Sequence, residues 1–176
     1  VVGLGLAGKK LQIESTGAQI DTATLLTTLT TMGATGEVDE VIKLPSKSNK
    51  LIVFTGLGKI ESNFSPELLR RAAGAASRNL LGNEGASFAL PHKSVAEIAA
   101  IAEGAALGSY SFTEFRGSTK VGQKSPLSSI TIVTRFANTA QAKSAIKRAE
   151  IIAEQTFLVR DLVNTPPSSL TPDSFC

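Results

Sequence analysis

The residues of this chain that could do chemistry are few and far apart. Its single histidine, His92, follows a proline and has no second histidine, no cysteine and no tight acidic cluster nearby, so we interpret it as a surface-loop residue and not as a metal ligand. Ser109, Ser111 and the other serines have no histidine at a motif spacing, which leaves no basis for a nucleophilic triad. The only cysteine, Cys176, lies at the end of the sequence, and we expect it to be inert.

Carboxylates lead to the same interpretation. Glu150 and Glu154 are one helical turn apart and could in principle hold a metal ion, but Lys147 and Arg148 lie beside them. A solvated charged helix face is therefore the preferred interpretation. Three further acids are separate from one another: Glu97, Glu103 and Glu114. Because no stretch assembles the several ligands that a catalytic metal requires, we predict no catalytic, cofactor-binding or metal-binding residue in this chain.

One glycine-containing segment could hold a phosphate. The sequence TGLGK, Thr55 to Lys59, follows an apolar run and precedes a helix pattern, where backbone N–H groups are well placed for an anion. It lacks the third glycine of a dinucleotide fingerprint and the serine or threonine that follows the lysine of a P-loop. A tight turn at the end of a strand is the preferred interpretation, and a phosphate site at Gly56, Gly58 and Lys59 stays open as the alternative.

Composition narrows the class of protein. The chain has 176 residues, of which 42% are hydrophobic and 19% charged, and this balance fits one globular domain with its own core. The net charge is +3, and the basic residues are dispersed without interleaved aromatics, so a nucleic-acid surface is disfavoured. These basic groups are Lys43, Lys47 and Lys50; Arg70 and Arg71; and Lys143, Lys147 and Arg148. A single cysteine, no apolar run near ~20 residues and no signal pattern make the cytoplasm the expected compartment, with no membrane.

The elements that must position these residues alternate between strand and helix. The run KLIVFTGLG is typical of a buried strand. Helix starts are indicated at Asp21, at Ser65 with Pro66, and at Ser94 with Glu97. This alternation predicts an α/β fold with a mixed, mainly parallel sheet and helices on both faces. The strands VVGLGL and KKLQIE are too close in sequence for a crossover, so they should form an antiparallel edge.

A long helix ends the pattern. It should open at Asn138 with Gln141 at its third position, and its apolar stripe runs to Val163. The members of the stripe are Ala142, Ala145, Ala149, Ile152, Thr156, Val159 and Val163. The alanines and Thr156 favour docking on the chain's own sheet over a coiled coil. On that hypothesis, Val159→Asp should unfold or aggregate the protein.

The sequence resembles a known family in several stretches. VRDLVNTPPSSLTP closely resembles the segment that joins the N-terminal domain to the catalytic domain in leucyl aminopeptidases, with Arg160 to Pro167 as its most specific part. FTGLGK, LLRRAAGAASRNL and AEGAALGSYSFTEFR agree in the expected order. The resemblance implies a macro-like α/β domain at residues 1–163, including a linking helix at about 138–163. Residues 164–176 would then begin a linker to a C-terminal catalytic domain.

The same resemblance implies the activity of the whole protein. Relatives are two-metal peptidases that use zinc, manganese or magnesium to remove N-terminal residues from peptides, and they assemble as hexamers. Their metal and catalytic motifs have no counterpart in this sequence, so the chain itself is expected to be inactive and to support assembly and shielding of the site. Two alternatives stay open: a macro-like module that binds ADP-ribose or another nucleotide, and a DNA-binding role of the assembled protein.

Overall fold

The computed structural model describes residues 1–46, 50–115, 122 and 124–171. Within them the elements follow the predicted alternation. In chain order they are β1 (Val2–Ala7), β2 (Lys10–Glu14), α1 (Thr22–Thr31), β3 (Val41–Pro45), β4 (Leu51–Lys59), α2 (Pro66–Asn79), β5 (Gly85–Phe88), α3 (Val95–Gly108), β6 (Ser129–Ile132) and α4 (Ala140–Asn164). The predictions made for Lys47, for Cys176 and for the linker beyond residue 171 lie outside the described residues.

The larger sheet has four strands in the order β2-β1-β4-β3. Its central pair, β1 and β4, is parallel, whereas β2 and β3 are antiparallel to their neighbours at the two edges. A second sheet consists of β5 and β6, which are parallel. The predicted α/β class, the mixed sheet and the antiparallel pairing of the first two strands are confirmed.

Helices cover both faces of the larger sheet, as predicted. Because side chains alternate along a strand, Val53 and Leu57 of β4 join a core cluster with α2 and α3, while Phe54 joins a second cluster with Leu29 of α1. Thr55 faces α2 as well, and its hydroxyl donates to the Ala72 carbonyl oxygen over 2.9 Å. β4 is therefore the strand around which both halves of the core are built.

The helices α2 and α3 touch through glycine. A Cβ placed on Gly104 would lie 2.1 Å from the Arg70 carbonyl oxygen, and one placed on Gly108 would lie 2.5 Å from the carbonyl oxygen of Gly74. Any side chain at these two positions would push the helix backbones apart. The close approach therefore fixes the distance between α2 and α3, and with it the positions of the side chains beside the glycines.

Three of the four predicted helix starts are confirmed. The side chains of Asp21, Ser65 and Ser94 each accept a hydrogen bond from the backbone N–H three residues later. The last helix differs by one residue, because Thr139 and not Asn138 is its N-cap. The Thr139 hydroxyl accepts from the Ala142 N–H over 3.2 Å. Thr139 also has the extended backbone conformation that is usual for an N-cap residue.

The docking predicted for α4 is wrong in its partner and in its extent. The helix packs against α3, and Ala142, Ala149 and Ala153 are buried there. The far end of the stripe is open, since Val159 is 59% exposed and Val163 is 79% exposed. The stripe is therefore a packing surface in its first half only. None of the helices in the described ranges is long and apolar enough to cross a membrane.

Candidate functional site

The segment TGLGK is neither a turn nor a phosphate loop. It lies inside β4, and its backbone donors are already bonded: Gly56 N–H donates to the Glu40 carbonyl oxygen and Gly58 N–H to that of Gly36, each over 2.8 Å. A Cβ on Gly56 would lie 1.6 Å from the carbonyl oxygen of Glu37. The loop of residues 36–40 thus covers the segment and uses the N–H groups that a phosphate would need.

The Glu40 carboxylate holds this loop in place. It accepts hydrogen bonds from Gly36 N–H over 2.6 Å and from the backbone N–H and hydroxyl of Thr35, each over 3.1 Å. Charge-assisted bonds of this kind are about twice as strong as neutral ones. The turn that blocks a phosphate at Gly56 and Gly58 is therefore itself fixed by hydrogen bonds.

His92 is buried, which corrects its interpretation as a surface residue. It is 8% exposed, with Nδ1 2.9 Å from the Leu90 carbonyl oxygen and Nε2 2.8 Å from the Thr134 hydroxyl. Because the carbonyl oxygen can only accept, we assign the proton to Nδ1, and Nε2 then accepts from Thr134. Nδ1 thus fixes the ring within the segment after β5, and Nε2 joins that segment to the one after β6.

Three of the other residues considered from the sequence have structural contacts. The Ser109 hydroxyl donates to the Ala106 carbonyl oxygen over 2.7 Å at the end of α3. Glu150 forms an exposed ion pair with Lys147, as expected of a solvated face. Glu103 binds Arg70. In the part of the chain that the structure describes, no group of three or more histidine, cysteine, aspartate or glutamate residues is placed to hold a metal ion.

The structure brings Arg160 of α4 close to three arginines of α2. A cleft of about 420 Å³ lies among α2, α3 and the end of α4, and we call it the arginine cleft. Its charged lining residues are Arg70, Arg71, Arg78, Arg160 and Asp39. The glycines of the α2–α3 contact, Gly74, Gly104 and Gly108, also line it. The spacing of Arg71 and Arg78, two helical turns apart with a glycine between them, is the sequence signal that could have revealed half of this set.

Two of the four arginines are neutralised by acids. Arg70 donates to the Glu103 carboxylate over 2.9 Å and also pairs with Glu67. Hydrogen bonding to Glu103 is the main cause that raises the pKa of the Arg70 guanidinium. Arg71 is paired with Asp39. Within the described residues, the cleft therefore keeps two guanidinium groups without a carboxylate partner, one on α2 and one on α4.

Tyr110 joins the end of α4 to the end of α3. Its hydroxyl donates to the Asp161 carboxylate over 2.8 Å and accepts from the Asn164 side-chain amide over 3.1 Å. The ring stacks at a tilt on Phe157, and the Arg160 guanidinium lies 5.1 Å from the ring centre. Partial desolvation and the hydrogen bond to Asp161 raise the pKa of Tyr110. Three residues of the RDLVN segment are thus fixed by one side chain.

Comparison with known proteins identifies the family. The sequence profile of the cytosol aminopeptidase family, N-terminal domain, matches residues 1–119. A probable cytosol aminopeptidase of Streptomyces griseus is 40% identical to this chain over 168 residues. The chain belongs to the cytosol aminopeptidase family. The match covers 86% of this chain but only 33% of that relative. This chain therefore spans about a third of the relative's length.

Solved structures agree with the assignment to the aminopeptidase family. A tomato leucine aminopeptidase variant superimposes with a TM-score of 0.72 at 25% identity, over 86% of this chain and 30% of that one. The bottromycin maturation enzyme BotP in complex with Mn gives a TM-score of 0.66 at 27% identity, over 91% of this chain and 32% of the other. The resemblance to leucyl aminopeptidases predicted from the sequence is confirmed.

Proposed function

We propose that this chain is the non-catalytic N-terminal domain of a leucyl aminopeptidase, a hydrolase that removes N-terminal residues, preferably leucine and similar apolar ones, from peptides. The observation that carries the proposal is the match to the N-terminal domain of the cytosol aminopeptidase family. In the Streptomyces griseus relative, the matched part is about a third of the full length. Residues 1–163 form the domain, and residues 164–176 begin the linker to a catalytic domain. A cytosolic location is proposed from the same relatives.

The chemistry of the whole protein would belong to that other domain. Two divalent metal ions, manganese, zinc or magnesium, would supply the polarisation of the carbonyl group and a water of lowered pKa there. The manganese complex of BotP supports a metal-dependent parent. The described residues of this chain do not offer a matching ligand set, so we assign no step of the hydrolysis to them.

The role that we propose for the domain is assembly and shielding of the active site. The open end of α4 supports it, because Leu158, Val159 and Val163 expose more than half of their surface each. Apolar side chains that cluster on one exposed helix face commonly mark a contact with another part of a protein. The partners proposed are the catalytic domain and the other subunits of a hexamer.

One assay tests where the activity lies. The 176-residue chain and the longer protein that carries it are each incubated with manganese and a chromogenic leucine substrate. We expect turnover by the longer protein alone, because the metal ligands are proposed to lie beyond the linker. Turnover by the 176-residue chain would overturn the proposal. Sedimentation of the longer protein checks assembly: we expect six copies, and a monomer would contradict the assembly role.

A further inference from the structure

Two guanidinium groups of the arginine cleft are outside its ion pairs, and the nearby Asp161 carboxylate accepts from the Tyr110 hydroxyl. Four guanidinium groups and one carboxylate line it. Glu103 and Glu67 neutralise Arg70, and Asp39 neutralises Arg71, but Arg78 and Arg160 have no carboxylate partner in the described part of the chain. Two unpaired positive charges beside one concave surface attract anions more strongly than the same charges on a convex surface.

The two unpaired arginines keep most of their donors free. Arg78 folds back over the glycine contact, with Nη1 3.4 Å from the place that a Cβ of Gly74 would occupy. Arg160 stacks on Tyr110 and makes one long hydrogen bond, 3.4 Å, to the Leu107 carbonyl oxygen. A guanidinium has five N–H donors in a planar fork that matches phosphate oxygens. Each arginine can therefore still bind one phosphate group in a bidentate manner.

The floor of the cleft leaves room for a ligand. Gly74, Gly104 and Gly108 place no side chains in it, and the cavity of about 420 Å³ lies within the range of small-molecule pockets. The backbone N–H groups of α2 and α3 are used within the helices, so recognition falls to the arginine side chains. Such a site selects charge and phosphate geometry.

We propose that the arginine cleft binds a small anion that carries two phosphate groups, one held by Arg78 and the other by Arg160. Two guanidinium groups on different helices match two linked phosphates better than one. The ligand would bridge α2 to the last turns of α4 and so tie the start of the linker to the domain. The proposal does not rest on the proposed peptidase activity.

Calorimetric titration of the 176-residue chain with inorganic pyrophosphate tests the site. We expect one site per chain, weaker binding of inorganic phosphate, and a loss of affinity of roughly tenfold for Arg78→Gln and for Arg160→Gln, the effect of losing one charged hydrogen-bonding partner. The matched control is Arg148→Gln, an exposed arginine earlier on the same α4, and its affinity should stay within about twofold.

Several outcomes would overturn the site. The absence of pyrophosphate binding at millimolar concentration would do so. Equal losses of affinity in all three variants would also do so, because they would show general attraction by positive charge. Tighter binding of duplex DNA, again with equal losses, would indicate a nucleic-acid surface instead. Circular dichroism checks folding of each variant. If Arg160→Gln unfolds, Arg78→Gln decides, because Arg78 has no ion pair in the described residues.

Discussion

Tyr110 shows how one side chain can fix the end of a long helix. It is the only tyrosine in the chain, and its contacts reach Phe157, Arg160, Asp161 and Asn164 on α4. The hydroxyl is both donor and acceptor, so it satisfies a carboxylate and an amide at once. The direction of the last turns of α4 therefore depends on this ring.

The titration of Tyr110 can be followed without interference from another tyrosine. Its near-ultraviolet absorbance change with pH should have a midpoint above the ordinary tyrosine value of about 10. Because the folded-state pKa is raised, the stabilising effect is complete below about pH 10 and is lost as the pH rises through the folded-state value. Asp161→Asn should lower the midpoint, since it removes a negative charge that opposes ionisation. Glu154→Gln removes an exposed acid on the same helix and should leave the midpoint unchanged. Equal shifts of the midpoint in both variants would refute the role of Asp161.

Single residues were the hardest feature to predict from the sequence. His92 follows the apolar run Phe88 to Leu90, but the proline between them indicates a loop, and its partner Thr134 is 42 residues away. The same holds for the arginine cleft, where only the fold brings Arg160 of α4 to the three arginines of α2. Hydrogen-bond partners that are distant in sequence leave no local spacing to detect.

At the scale of elements, the contact between α2 and α3 rests on glycines. Gly→Ala normally stabilises a helix by about 1 kcal/mol. At Gly104 the added Cβ would overlap the backbone of α2, so the substitution should destabilise the fold instead of stabilising it.

We expect Gly104→Ala to lower the free energy of unfolding by about 2 kcal/mol, because overpacking outweighs the gain in helix propensity. Gly74→Ala is the matched control, since its Cβ would be 3.2 Å from the nearest atom, and its effect should be much smaller. Urea denaturation measures both. A Gly104→Ala chain as stable as the unchanged one would contradict the close contact.

The two halves of α4 should respond differently to a charge. Ala153→Asp places a carboxylate at a position that is 4% exposed, and we expect it to unfold the chain or to lower its stability by several kcal/mol. Val159→Asp, in the open half, should change it by about 0.5 kcal/mol or less. Thermal unfolding followed by circular dichroism compares them. A strong loss of stability in Val159→Asp would restore the docking predicted from the stripe.

Helix patterns predict apolar faces well but not what covers them. The stripe on α4 correctly placed Ala142 and Ala149 in the buried set, yet it continued through Val159 and Val163, which are exposed. The periodicity of apolar residues shows which side chains share a helix face. A face that contacts a partner outside the described residues has the same apolar pattern as a face that packs in the core. Spacing alone also does not distinguish a neighbouring helix, here α3, from a neighbouring sheet.

At the scale of the whole molecule, the sequence predicted the architecture. The alternation of buried strands and capped helices was enough for the α/β class, because the sheet must be covered on both faces. The family followed from stretches such as Arg160 to Pro167, whose residue types are specific beyond any structural pattern. The exact order of the strands could not be predicted, since it depends on contacts between segments that are distant in the chain.

The loop of residues 36–40 has a consequence for how chains meet one another. β3 pairs with β4 as far as Thr55, which would leave the last residues of β4 with an unpaired edge on that side. Bonds from Gly56 and Gly58 to the loop close this edge. Open strand edges are where separate chains add to one another and aggregate. By lying across β4, the loop prevents a second chain from extending the sheet there.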